Sequence, residues 1–195
     1  MVRSGSSYTG YYSFDGTDWL RVGAATVAGQ AVTQDAGMFM TSHAAGSPGQ
    51  VVFDGFSAAS GAATPPLATS HEADSPANTL AGGAVVQSCS TCSGGKKVGY
   101  VGEGGTLTLN GVMAPAAVSY KVTLVYYTGN ETPAMVSADG GSAQSLSFPS
   151  TGSFTTTGTL TVSLPLAAGA NTIEIGDPGA YAPDFDRIIV AGSPS

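Results

Sequence analysis

The sequence predicts an all-β protein, a β-sandwich preceded by a partial β-sandwich segment, and three observations point there. Charged residues make up only 10% of the 195, while Gly contributes 28 and Pro 11. Short apolar runs alternate with clusters rich in Gly, Pro, Ser and Asp, the punctuation of strands and turns. No apolar repeat of the helical period persists beyond one or two turns.

The same composition excludes other classes. Long soluble helices solvate their outer faces with Glu, Lys and Arg, and this chain has 4 Glu and 6 basic residues. A helix bundle or coiled coil is therefore excluded. An apolar share of 42% argues against disorder. No run approaches the ~20 apolar residues of a membrane-spanning helix, so a membrane is not an expected partner. The net charge of -7, with no cluster of cations, makes nucleic acid a poor one too. A surface of Ser, Thr, Gly and Ala suits a secreted, extracellular sandwich domain. Met1 leads into Val2-Arg3-Ser4 with no charged and then apolar leader, and the chain is expected to be a piece of a longer secreted protein.

Residues 1–57 read as a few short strands. Tyr8 to Phe14 is aromatic and β-prone, Asp15-Gly16 is a hairpin turn signal, and Trp19 to Val22 is the return strand. Met38 to Thr41 and Val51 to Phe56 are further apolar runs. The runs YYSFDGTDW, QDAGMFMTSH and VVFDGFSA resemble the closing strands of a laminin-G or concanavalin-like sandwich. About four strands do not close two sheets, so this segment is expected to be exposed, packed on its neighbour, or paired in a dimer. Residues 58–70, which contain ASGAATPPLATS, read as a linker stiffened at Pro65-Pro66.

Residues 71–195 form the larger unit, of a size for an eight- to ten-stranded sandwich. Its candidate strands are 84–87, 98–101, 106–109, 119–127, 134–138, 144–148, 158–164, 171–175 and 187–191. Tyr120, Val122, Leu124 and Tyr126 alternate with Lys121, Thr123 and Val125, the period of a strand with one buried face.

Three stretches of this unit, HEADSPANTLAGGAVVQ, CSGGKKVGYVGEGGTLTLNGV and ANTIEIGDPGAYAPDFDRIIV, resemble carbohydrate-binding module family 35, kin of family 6. The resemblance implies a β-jelly roll that binds polysaccharide or oligosaccharide without cleaving it. It further implies a structural Ca²⁺ and attachment to a secreted polysaccharide-degrading enzyme. Glu72 and Asp74 stand two apart, so on a strand both carboxylates share a face. If the first and last strands are neighbours, Asp186 joins them, and a hard cation relieves the repulsion among three carboxylates. The resemblance draws backbone carbonyls from the loop near Lys97 as further ligands. The family more often has Glu where Asp74 stands, a shorter side chain that could reach through water.

A saccharide site needs a flat apolar face and polar groups at its rim. Tyr181, between Gly179-Ala180 and Ala182-Pro183, is the candidate platform. The resemblance makes Asp184, Asn130 and Asp177 rim candidates. Tyr126 and Tyr127 fall on opposite faces of one strand, so one is core and Tyr127 is the candidate for the cleft border. Tyr100 fits core packing as well as ligand contact. Lys96-Lys97, the only adjacent basic pair, would suit a uronic acid, whereas neutral galacto- or gluco-configured glycans are the broader expectation.

Cys89 and Cys92 lie in a C-S-T-C run. A zinc half-site lacks a second ligand pair and a redox motif lacks its helix; a short loop disulfide fits best. Two alternatives stay open. One is a glycoside hydrolase or lyase using Glu103, Glu131, Asp177 or Asp184. The other is a protein-interaction or surface-display module.

Overall fold

The structure, a computed structural model, describes residues 1–14, 16, 18–31, 37–38, 46, 49–55, 58 and 67–194. The chain divides into two compact units, Met1–Tyr12 with Arg21–Pro65 and Ser13–Leu20 with Pro66–Ser195.

Strands β1 (Val2–Ser4), β2 (Ser7–Ser13) and β3 (Trp19–Thr26) form a three-stranded sheet in that order. β1 and β2 are antiparallel, with Ser4 opposite Ser7. Gly5, at φ 60°, supplies the left-handed residue of that tight turn. β1 was not anticipated. Val51 to Gly55, expected as part of a strand, carries none, and Val51, Val52 and Phe53 are exposed; among the described residues they have no partner strand. Asp15 of the expected turn, residues 39–41 of the expected Met38 run and most of the 58–70 linker lie outside the described residues.

The second unit is a β-sandwich of jelly-roll type. One sheet contains β11 (Gln144–Phe148), β10 (Thr132–Ala138), β13 (Gly169–Gly176), β8 (Thr106–Ala114) and β5 (Thr79–Ala81), in that order. The other contains β12 (Ser153–Leu166), β9 (Val118–Thr128), β14 (Asp184–Pro194), β7 (Lys96–Gly99) and β6 (Val85–Ser88). β4 (Thr69–Glu72) pairs with β14, Glu72 standing opposite Arg187. The first and last strands of the unit are thus neighbours.

The core lies where the two inner faces meet. β9 contributes Tyr120, Val122, Leu124 and Tyr126, all buried, as the alternation requires. Opposite them are Leu107, Leu109 and Val112 of β8, Ala134 and Val136 of β10, and Ile173 and Ile175 of β13. Tyr126, Phe148 and Phe185 pack edge to face in that order, with Phe148 between the other two. A smaller cluster of Leu20, Ala68, Val125 and Ile189 covers the other face of β9 and β14.

One irregularity positions both sites described below. Phe185 stands opposite Tyr126 and Arg187 opposite Val125, which leaves Asp186 without a partner on β9. This β-bulge lets Phe185, Ile188 and Val190 all point into the core, while Asp184, one residue before Phe185, points away from it.

Candidate functional site

A cavity of about 400 Å³ opens on the outer face of the β9-containing sheet, lined by Gln87, Lys97, Tyr100, Phe154, Tyr181 and Asp184, with Ala182 beneath. The volume is in the range of small-ligand pockets. Register explains the polar residues. Gln87 of β6 stands opposite Lys97 of β7, and Val98, next to Lys97, is buried in the core. Asp184 of β14 stands opposite Tyr127 of β9. These side chains therefore form a row across the sheet on the side away from the core.

Aromatic rings wall the cavity. Tyr100, Tyr181 and Phe154 are 57%, 52% and 52% exposed, values that leave each ring open to a ligand. Tyr100 and Tyr181 meet edge to face with centroids 6.3 Å apart. Both come from loops that are zipped by the main chain: Ala182 N–H donates to the Val101 carbonyl at 2.8 Å and Glu103 N–H to that of Ala180 at 3.0 Å. Gly102, at φ 96°, lies against the Ala180 carbonyl and the Tyr181 backbone, where no Cβ fits. Glu103 raises the Tyr181 phenol above the usual tyrosine range, first through a hydrogen-bonding effect and then through its charge.

The floor is an ion pair. Lys97 Nζ lies 2.8 Å from Asp184 Oδ2, with both side chains largely buried. The ammonium also donates to the Phe154 carbonyl at 2.8 Å and stands 5.2 Å and 5.4 Å from the ring centroids of Tyr127 and Phe154. The Gln87 amide makes no hydrogen bond among the described residues.

The expected rim divides. Tyr181 and Asp184 line the cavity. Tyr127 does not: it is fully buried, donates to the Thr91 carbonyl and accepts from Thr157, so it supports Lys97 from below. Its neighbour Tyr126 is core, and neither borders the cleft. Asn130 is exposed in the β9–β10 turn, where its carbonyl accepts the Thr128 and Thr132 hydroxyls. Asp177 lines a separate cavity of about 180 Å³ with Met135, Ser137 and Glu174. Gln87 and Phe154 were not anticipated. Phe154 precedes the expected strand 158–164, and it lies at the irregular start of β12, between Ser153 and Gly158.

The carboxylates gather around Ser93. Its N–H donates to Asp186 Oδ1 and Oδ2 at 3.1 Å and 3.2 Å, and its hydroxyl to Glu72 Oε1 at 3.0 Å. Arg187 Nη1 donates to the same hydroxyl at 3.2 Å. Asp74 is not on a strand: β4 ends at Glu72, and Asp74 lies in the following turn, 4.0 Å from Lys96 Nζ. Among the described residues no three His, Cys, Asp or Glu side chains form a ready-made metal-ligand group, because Ser93 stands between Glu72 and Asp186. The donors nevertheless fit a hard cation. Glu72 Oε2 is buried without a hydrogen-bond partner. Burial holds Asp186 above the usual carboxylate range, against the Ser93 amide and Arg187, and the charges of Glu72 and Asp74 add to the rise. The side chain of Lys97, the residue near which backbone carbonyls were expected as ligands, lies in the cavity.

The loop that carries Ser93 is closed by the Cys89–Cys92 disulfide. Cys89 N–H also donates to the Gly95 carbonyl at 2.8 Å. The same loop reaches the cavity side, where Thr91 accepts from Tyr127 and donates to the Thr155 carbonyl.

No protein-family profile and no curated protein sequence matches the chain. Solved structures do. A family 35 carbohydrate-binding module from Clostridium thermocellum is 32% identical, with a TM-score of 0.61 over 63% of this chain and 98% of that one. An exo-β-1,3-galactanase from Phanerochaete chrysosporium, solved with galactose, is 34% identical, with a TM-score of 0.60 over 65% of this chain and 30% of that one. A family 35 module from Paenibacillus barcinonensis, at 24% identity and a TM-score of 0.58 over 64% of this chain and 99% of that one, shares the fold. With nearly the whole of the first module matched at that identity, and the jelly roll and its strand order in place, this chain belongs to the family 35 carbohydrate-binding modules.

Proposed function

We propose that the second unit binds a saccharide in the cavity walled by Tyr100, Tyr181 and Phe154 and leaves its bonds intact. The observation that carries this reading is the pair of exposed tyrosine rings held by zipped loops above a polar floor. A pyranose presents an apolar C–H face and a polar rim; the rings take the first, and Asp184 and Gln87 take hydroxyls of the second. One or two stacked sugars bury little area, so a single module binds modestly and serves by raising the local concentration of a tethered domain on a polymer. The galactanase is an enzyme that contains such a module-sized match, which supports a role in targeting a secreted polysaccharide-degrading enzyme and makes galactose the first probe.

The module also holds a structural Ca²⁺ in this reading. Glu72 and Asp186 would hold it, with Asp74 reaching through water. The ion supplies positive charge where the buried Glu72 Oε2 lacks a partner. Self-association through the three-stranded sheet is a separate proposal, read by light scattering against concentration.

A glycan array probed with and without Ca²⁺ tests the reading. Retention of galactose-containing glycans supports it; silence across the array overturns it. Release of reducing sugar from a polysaccharide panel, lost on substitution of Asp184, would establish catalysis instead.

A further inference from the structure

We infer that the Lys97–Asp184 pair makes this cavity selective for uncharged sugars and closes it to uronic acids. The inference rests on the saccharide reading above and adds the charge class of the ligand. Among the described residues, Lys97 is the only basic side chain lining the cavity. Its ammonium is held by protein groups: Asp184 Oδ2 and the Phe154 carbonyl each lie 2.8 Å away, and the Tyr127 and Phe154 ring centroids stand 5.2 Å and 5.4 Å from it. With both side chains of the pair largely out of water, separating them would leave an unpaired buried charge on each side. Lys97 is therefore a positioning residue for Asp184, not a free cation for a ligand.

What faces the ligand is an acceptor. Asp184 Oδ1 makes no hydrogen bond among the described residues. Asp184 Oδ1 and Gln87 Oε1 both close over Gly99, where a Cβ would stand 2.9 Å from the first and 2.8 Å from the second and so does not fit, and both residues line the cavity. Acceptors on the cavity lining suit the hydroxyl donors of a neutral sugar. A uronate carboxylate set there would meet Asp184 with no free cation to compensate, and the charge of Glu103, which acts on the Tyr181 phenol, adds negative potential nearby. Like charges brought together in this way oppose binding.

The test compares galactose with galacturonic acid, which differ only at C6, and glucose with glucuronic acid, by calorimetric titration. The wild-type protein is expected to bind each neutral sugar at least ~10-fold more tightly than its acid, about 1.4 kcal/mol. Asp184→Asn leaves the Lys97 charge unopposed and is expected to narrow or reverse that gap by a similar factor, an effect that shrinks with added salt. Adding Lys97→Gln to Asp184→Asn removes both charges and should bring the ratio close to one. Melting curves verify that the variants are folded, and the wild-type ratio stands without them. Equal affinity of the wild-type protein for galactose and galacturonate overturns the inference, as does an unchanged ratio in folded Asp184→Asn. Both outcomes leave the saccharide reading intact. Binding of neither sugar class removes that reading and the inference with it.

Discussion

Asp184 and Asp186 are two residues apart on β14 and serve different partners: Asp184 pairs with Lys97 at 2.8 Å, and Asp186 takes the Ser93 amide at 3.1 Å. On a regular strand the two carboxylates would share one face. The bulge at Asp186 separates them, so that one stretch of chain feeds a cavity floor and a carboxylate cluster.

The tyrosine pair should control saccharide retention. Tyr181→Ala and Tyr100→Ala are each expected to weaken binding at least ~10-fold, since stacking on an aromatic face is worth about 0.5–1.5 kcal/mol beyond the area buried. Both rings are more than half exposed, so melting temperature should hardly move. Affinity electrophoresis beside a melting curve reads both; unchanged retardation rejects the platform.

Gly102 should tolerate no side chain. Its φ of 96° and its approach to the Ala180 carbonyl and Tyr181 backbone imply that Gly102→Ala parts the two loops, at a cost of about 1–3 kcal/mol. Chemical denaturation should register the loss, and saccharide binding should fall with it. A variant that binds and melts like the parent contradicts the zipped-loop account.

Saccharide binding should persist well into alkali. Glu103 holds the Tyr181 phenol above its ordinary range, first by the hydrogen bond and then by charge. The proton therefore stays on through the pH at which a free tyrosine loses it. Glu103→Gln removes the charge, and the Tyr181 titration, followed by ultraviolet difference absorbance against Tyr181→Phe, should move to lower pH. No movement would show that the two groups do not interact.

Removal of divalent ions should lower the melting temperature, and Ca²⁺ should restore it. A ligand at 100 times its Kd adds about 2.7 kcal/mol to the folded state. Glu72→Gln, which keeps the shape and removes the charge, should abolish that response. A chelator with no effect on metal-depleted protein would remove the cation from the account.

Much of the sandwich could be read from the chain, because β9 and its neighbours alternate cleanly between buried and outward residues. β4 and β5 could not: four and three residues are too few for a period to declare itself. Tyr181 was legible because Gly, Ala and Pro around it leave a ring little core to join. The burial of Lys97 was not, since its cover comes from Phe154, 57 residues away in sequence, and from a tyrosine whose direction depends on register. Asp74 misled because the strand it was placed on stops two residues earlier, at Glu72. A one-residue bulge leaves no local mark, so the parting of Asp184 from Asp186 appears only once β9 lies alongside.

The two loops that display Tyr100, Glu103 and Tyr181 are shaped by their own main-chain bonds to each other. The display positions can thus change identity while the frame beneath keeps its form. A library that varies those three side chains on an unaltered jelly roll would start from an architecture already suited to acquiring new sugar preferences.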